Sequence, residues 1–94
     1  MTEQRWNEHS ILAEIRGYIV ASFRDGRGQG IDALTPLVAS GILDSAGVLQ
    51  VVEFLERRFH IQIADEEVGL ANFHCIGALA RMVAGKVAPP PGET

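Results

Sequence analysis

Asp44-Ser45 puts a hydroxyl directly behind a carboxylate, at the head of a run whose apolar residues recur with helical spacing. Preceded by Gly41-Ile42-Leu43, the pair falls where a long loop turns into a helix. At such a helix start the free backbone N–H groups and the positive end of the helix dipole favour a phosphate. A phosphodiester on Ser45 would sit in a tolerant electrostatic setting. Asp44 would be placed to orient a metal ion or a basic group of a modifying enzyme. The plainer alternative is that Ser45 only caps the helix, a common duty for this residue type. On the dipeptide alone the cap is the commoner reading.

Other candidates are weaker. His9, His60 and His74 have no ligand-like spacing, and Cys75 has no second cysteine to complete a metal site. As a lone thiol, Cys75 is expected to be buried or capping. Gly26, Gly28 and Gly30 follow no strand pattern, so they do not form a nucleotide-phosphate loop. Asp65-Glu66-Glu67 is too short for a calcium loop and reads as the solvated first turn of a helix. Arg57 and Arg58 read as a solvated face. No nucleophile is paired with a base, so the chain is not expected to be an enzyme.

The elements that must position Ser45 are helical. Ile11, Leu12, Ile15, Ile19, Val20 and Phe23 recur at three- and four-residue steps, giving an amphipathic helix from about His9 to Phe23, with Trp6 expected on its first turn. Asp-Gly-Arg-Gly-Gln-Gly at 25–30 ends it. Residues 31–44 read as a loop interrupted by Pro36 and pinned to the core by Leu34, Leu37, Val38 and Ile42. Loops of this length are often functional. The second helix begins at Asp44 or Ser45 and is expected to bury Leu49, Val52, Leu55 and Phe59 against Ile15, Ile19, Leu79 and Val83. Residues 61–64 look extended, a short helix opens at Asp65 and ends near Asn72, and a last helix runs from about Cys75 to Gly85. The fold expected is all-α: a bundle of three main helices and one short one, with a long first loop. Residues 1–87 form the expected domain, and 88–94 (Ala-Pro-Pro-Pro-Gly-Glu-Thr) a flexible tail that cannot continue a helix.

Ninety-four residues make one small domain, and a hydrophobic fraction of 47% is enough for a core but not for a deep catalytic cleft as well. A net charge of −4 argues against nucleic acid and suits partners that present Lys and Arg. One cysteine excludes an internal disulfide framework. Residues 1–10 lack the apolar core of a signal peptide, and no apolar run reaches membrane-span length. A cytoplasmic monomer is expected.

The whole pattern is more specific than the dipeptide. Phe59 follows Ser45 by fourteen residues across an amphipathic helix, then come Ile61-Gln62-Ile63, the acids 65–67, and Asn72-Phe73 leading into Ile76, Ala78 and Leu79. From about Leu34 to Val83 this resembles the acyl carrier protein family. The resemblance implies a four-helix carrier-protein bundle in which Asp44 and Ser45 open the second helix. It also implies that Ser45 receives 4′-phosphopantetheine from coenzyme A through a phosphopantetheinyl transferase. In fatty-acid members Leu and then an acid follow the serine, and carboxylates line the helix. Here Ala46 and Gly47 take those places, Gln50 replaces a usual carboxylate, and Arg57-Arg58 break the stripe. Asp-Ser-Ala-Gly-Val-Leu-Gln-Val is similar in style to D-alanyl carriers, which leans the cargo towards a small polar acid.

The leading expectation is therefore a stand-alone carrier for an acyl or aminoacyl thioester, served by a dedicated activating ligase and downstream acyl-processing enzymes. A general fatty-acid or polyketide carrier, and an unmodified helical interaction module, are the alternatives. Ala46, Gly47, Gln50, Glu53 and Arg57 form the expected partner-facing side of the second helix.

Overall fold

The computed structural model describes residues 6–87, within which every regular element is helical. Helix α1 spans Glu8–Phe23, α2 Ser45–Phe59, α3 Leu70–Phe73 and α4 Ile76–Val87, with a 3₁₀ turn at Asp65–Glu67 between α2 and α3. The tail expected at 88–94 lies outside the described residues.

α1 starts in a reciprocal cap: the Asn7 side chain accepts the Ser10 N–H at 2.8 Å, and the Ser10 hydroxyl accepts the Asn7 N–H at 3.0 Å. Its buried stripe is Ile11, Ile15, Ile19 and Val20. α4 packs on α1 and adds Ile76, Leu79, Ala80 and Val83 to the core.

α2 runs antiparallel to α1. Phe23 lies under Gly47, Tyr18 stacks on Phe54 with ring centroids 4.0 Å apart, and Glu14 pairs with Arg58 at 3.0 Å. Trp6 packs edge-on against Phe59 at 4.7 Å and under the Arg58 guanidinium at 4.8 Å, so it meets the end of α2. Arg58 is thereby a packing residue, while Arg57 stays in solvent.

The register of α2 differs from the expected one. Its buried stripe is Gly47, Val51, Leu55 and Phe59, with Val48 and Val52 half-buried and Leu49 63% exposed. Residues four apart stack on one helical face, and the 47-51-55-59 row is the one turned into the core.

Beyond Phe59, His60 takes a left-handed backbone (φ 57°) and ends α2. Glu56 then holds the exit segment, its carboxylate accepting the Ile63 N–H at 2.9 Å. The expected short helix is split. Asp65–Glu67 closes as a 3₁₀ turn, Val68-Gly69 interrupts it, and α3 is a separate turn of four residues. Glu67 joins these pieces: Oε1 accepts the Ala64 N–H at 2.8 Å and Oε2 pairs with Lys86 at 2.9 Å. Asn72 Nδ2 donates to the Glu67 carbonyl at 2.9 Å, and Phe73 beside it is buried. α4 does not stop at Gly85. It runs on to Val87, since one glycine near a helix end costs only about 1 kcal/mol.

Candidate functional site

The loop of residues 24–44 is held at both ends. From α1, Arg16 donates from Nε to the Ile31 carbonyl at 3.0 Å and from Nη2 to the Gly28 carbonyl at 2.8 Å. A Cβ on Gly28 would lie 2.7 Å from that Nη2, so the bracket depends on the missing side chain. Asp32 accepts the Leu34 N–H at 2.9 Å and the Thr35 hydroxyl at 3.1 Å, which together hold its carboxyl below the usual range. At the far side, Gly77 donates to the Ala33 carbonyl at 2.9 Å and Leu37 to the His74 carbonyl at 2.8 Å, fastening the loop to the junction of α3 and α4. Ile31, Leu37 and Leu43 are its buried anchors. Leu34 and Val38, expected inside, are 78% and 40% exposed, and Ile42 is half-buried.

Leu43, buried immediately before the acid, fixes where α2 starts. Asp44 is the N-cap, its Oδ1 accepting the Gly47 N–H at 2.7 Å while its carbonyl accepts the Val48 N–H at 2.9 Å. The cap is therefore made by the acid, and the hydroxyl of Ser45 is outside it. Ser45 and Ala46 are exposed on the first turn, where helix geometry leaves the N–H groups without intrahelical partners.

Of the side expected to face partners, Ala46, Gln50, Glu53 and Arg57 are exposed. Gly47 is not. It is buried, and a Cβ there would meet Phe23 Cε1 at 3.2 Å, Asp44 Oδ1 at 3.3 Å and Leu43 Cδ2 at 3.3 Å. Glycine lets α1, the loop and the cap converge beneath the first turn. Leu49 takes its place on the solvent side. A residue four after Ser45 shares the helix face of Ser45, so the exposed serine and the exposed leucine lie on one side of α2.

The remaining candidates do not assemble. His9, His60 and His74 are exposed, Cys75 is buried, and among the described residues no three His, Cys, Asp or Glu side chains gather as a metal site. A shallow groove of about 280 Å³ between α1 and α2 is lined by Ala13, Glu14, Gly17, Tyr18 and Phe54, none of them beside Ser45. Among the described residues no helix is long and apolar enough to cross a membrane.

No family model matches the chain. It is similar to the probable acyl carrier protein PigG of Serratia sp. (strain ATCC 39006), 31% identical over 71 residues, which are 76% of this chain and 82% of that protein. With the helical order, the long first loop and that relative together, the chain belongs to the acyl carrier protein family, whose members carry acyl groups for other enzymes and are not themselves catalysts.

Proposed function

We propose that Ser45 carries 4′-phosphopantetheine on its hydroxyl and that the protein is a carrier of a small polar acid. The observation that supports the attachment site most strongly is the cap. Asp44 supplies it, so the fold asks nothing of the neighbouring hydroxyl that threonine, alanine or glutamate would not also satisfy. A serine kept outside the cap, exposed, on the first turn of a fifteen-residue helix, is available for esterification.

The residues present suit the group. The N–H groups of Ser45 and Ala46 and the helix dipole favour a phosphodiester there, and the small Ala46 leaves room around it. When bound, the arm supplies the thiol that accepts the acyl group. The chain's own part is to anchor the arm, display it in solvent and present α2 to the enzymes that load and unload it. Those partners would be a phosphopantetheinyl transferase, an acyl- or aminoacyl-activating ligase and downstream acyl-processing enzymes, met by a cytoplasmic monomer.

The lean towards a small polar acid rests on α2. Ala46, Gln50 and Arg57 stand on its exposed side, where Glu53 is the only carboxylate. A transferase built around a carboxylate-rich helix would lose paired contacts and meet misplaced charge at Arg57, and such mismatches discriminate between partners. A second reading is a general fatty-acid or polyketide carrier, with which similarity to a probable acyl carrier protein of Serratia is equally consistent.

The two are separated by loading rates. The chain bearing its arm is offered to a fatty-acid malonyl transferase and, in parallel, to amino-acid and hydroxy-acid activating ligases. Faster loading by a ligase with a small polar acid is expected. Efficient malonyl loading followed by chain elongation, with no small polar acid accepted, would overturn the cargo assignment.

A further inference from the structure

We propose that Phe23 is a positioning residue for the Ser45 hydroxyl: its ring is the seat that sets the angle of the first turn of α2, and so the line along which the hydroxyl meets coenzyme A. This rests on the Ser45 reading above. The first turn has no side chain of its own with which to grip α1. Ser45 and Ala46 are exposed, and Gly47 is buried but bears no side chain. The Phe23 ring closes on the space that a side chain at 47 would need, since a Cβ there would lie 3.2 Å from Phe23 Cε1. Leu43 and the Asp44 cap fix where the helix begins, and Phe23 is the contact that α1 adds.

Phe23 is itself held. It is the last residue of α1, and the Val20 carbonyl accepts both the Arg24 N–H at 3.0 Å and the Gly26 N–H at 2.9 Å, which closes the helix end directly behind it. The Tyr18 ring meets it edge-on with centroids 6.0 Å apart. Tyr18 in turn stacks on Phe54 and donates from Oη to the Gln50 carbonyl at 3.4 Å. The later turns of α1 thus hold α2 at its first turn and again further along, which leaves the first turn little freedom to tilt.

The transfer is sensitive to that tilt. Ser45 Oγ forms a bond to the phosphorus of coenzyme A that bears the pantetheine, and the bond from that phosphorus to the oxygen of adenosine bisphosphate breaks. The hydroxyl proton passes to a base of the transferase. Attacking and leaving oxygens must lie roughly in line. A misplacement of about 1 Å can cost on the order of a hundredfold in rate. The exposed side chains that a transferase would cover are untouched by a change beneath the turn, so the loss falls on the chemical step and spares binding.

The test uses the full chain, coenzyme A and an excess of a broad-specificity phosphopantetheinyl transferase, with single-turnover rates read by intact mass. Phe23→Leu keeps an apolar side chain but loses the flat ring. It is expected to lower the saturating rate by about tenfold while the half-saturating transferase concentration stays within about twofold of wild type. Gly47→Ala disturbs the same seat from the other side and is expected to show the same split, which decides the matter if the Phe23 variant does not fold. The double variant, in which leucine makes room for the added methyl, is expected to be faster than either single one. Ile11→Val, a buried change towards the opposite end of α1, is the control, expected to lower the melting temperature and leave the rate unchanged. A saturating rate within about twofold of wild type in either folded single variant, a loss confined to half-saturation, or an equal loss in Ile11→Val would overturn the inference with Ser45 still modified. A wild-type chain that gains no arm would overturn the Ser45 reading and this inference together.

Discussion

The carboxylate of Asp44, not the hydroxyl of Ser45, closes the first turn of α2, accepting the Gly47 N–H at 2.7 Å. The two adjacent residues therefore have separable duties, and mutation should part them. Asp44→Ala is expected to cost about 1 kcal/mol of stability, the usual loss of an N-cap. Ser45→Ala should stay within about 0.5 kcal/mol of wild type, as an exposed substitution without a structural partner does. Thermal or urea unfolding of the two variants checks the pair, and equal losses would mean that both side chains share the cap.

Two helical glycines should respond oppositely to alanine. A Cβ at Gly17 meets nothing within 4 Å, so Gly17→Ala should gain up to about 1 kcal/mol from helix propensity alone. At Gly47 the new carbon would press on Phe23, Asp44 and Leu43 at 3.2–3.3 Å. Crowding of that kind typically costs about 1–3 kcal/mol, enough to cancel the propensity gain. Gly47→Ala is therefore expected to be no more stable than wild type, and denaturant midpoints decide it.

The register of α2 has its own test. Leu55 is fully buried and Leu49 largely exposed, so Leu55→Ala should cost about 2–5 kcal/mol and Leu49→Ala well under about 1 kcal/mol. Comparable losses from the two would place Leu49 in the core.

That register is also where sequence reasoning reached its limit. The helices, the long loop and the position of Ser45 were legible, because periodicity and breakers such as the 25–30 segment act locally. The run Val48-Leu49-Gln50-Val51-Val52 is apolar at four of five positions, so two stripes fit it equally well. Packing into the core selects Val51 over Leu49, and no local signal carries that choice. The loop has the same difficulty. Ile31 and Leu43 are buried while Leu34 and Val38 are exposed, and a segment without a period has no face to read. Gly47 was placed outside because it lies at helical spacing away from the Leu49-Val52-Leu55 stripe that was expected to be buried. Its role, admitting Phe23 beneath the turn, exists only once α1 has folded against α2.

Glu67 gives the fold a pH dependence. The Lys86 ammonium and the Ala64 N–H favour its charged form and hold its carboxyl below the usual glutamate range. A carboxyl lowered in the folded state contributes stability that is complete above the unfolded value and lost as pH falls through the folded one. Stability should therefore decline on acidification through and below the ordinary glutamate range, and Glu67→Gln should flatten that part of the profile. Both partners are partly exposed, so the effect is small and is best read as the difference between the wild-type and variant curves.

The central claim is that Ser45, and no other hydroxyl, holds the arm. It is tested most directly by incubating the wild-type and Ser45→Ala chains with coenzyme A and a broad-specificity phosphopantetheinyl transferase. Intact mass and peptide mapping then locate any addition. The account predicts a single phosphopantetheine on the wild-type chain, mapped to Ser45, and none on the variant, which should fold as the wild type does. Modification of the Ser45→Ala chain, an addition mapped to Ser10, Ser22 or Ser40, or a wild-type chain that never gains the arm would contradict it.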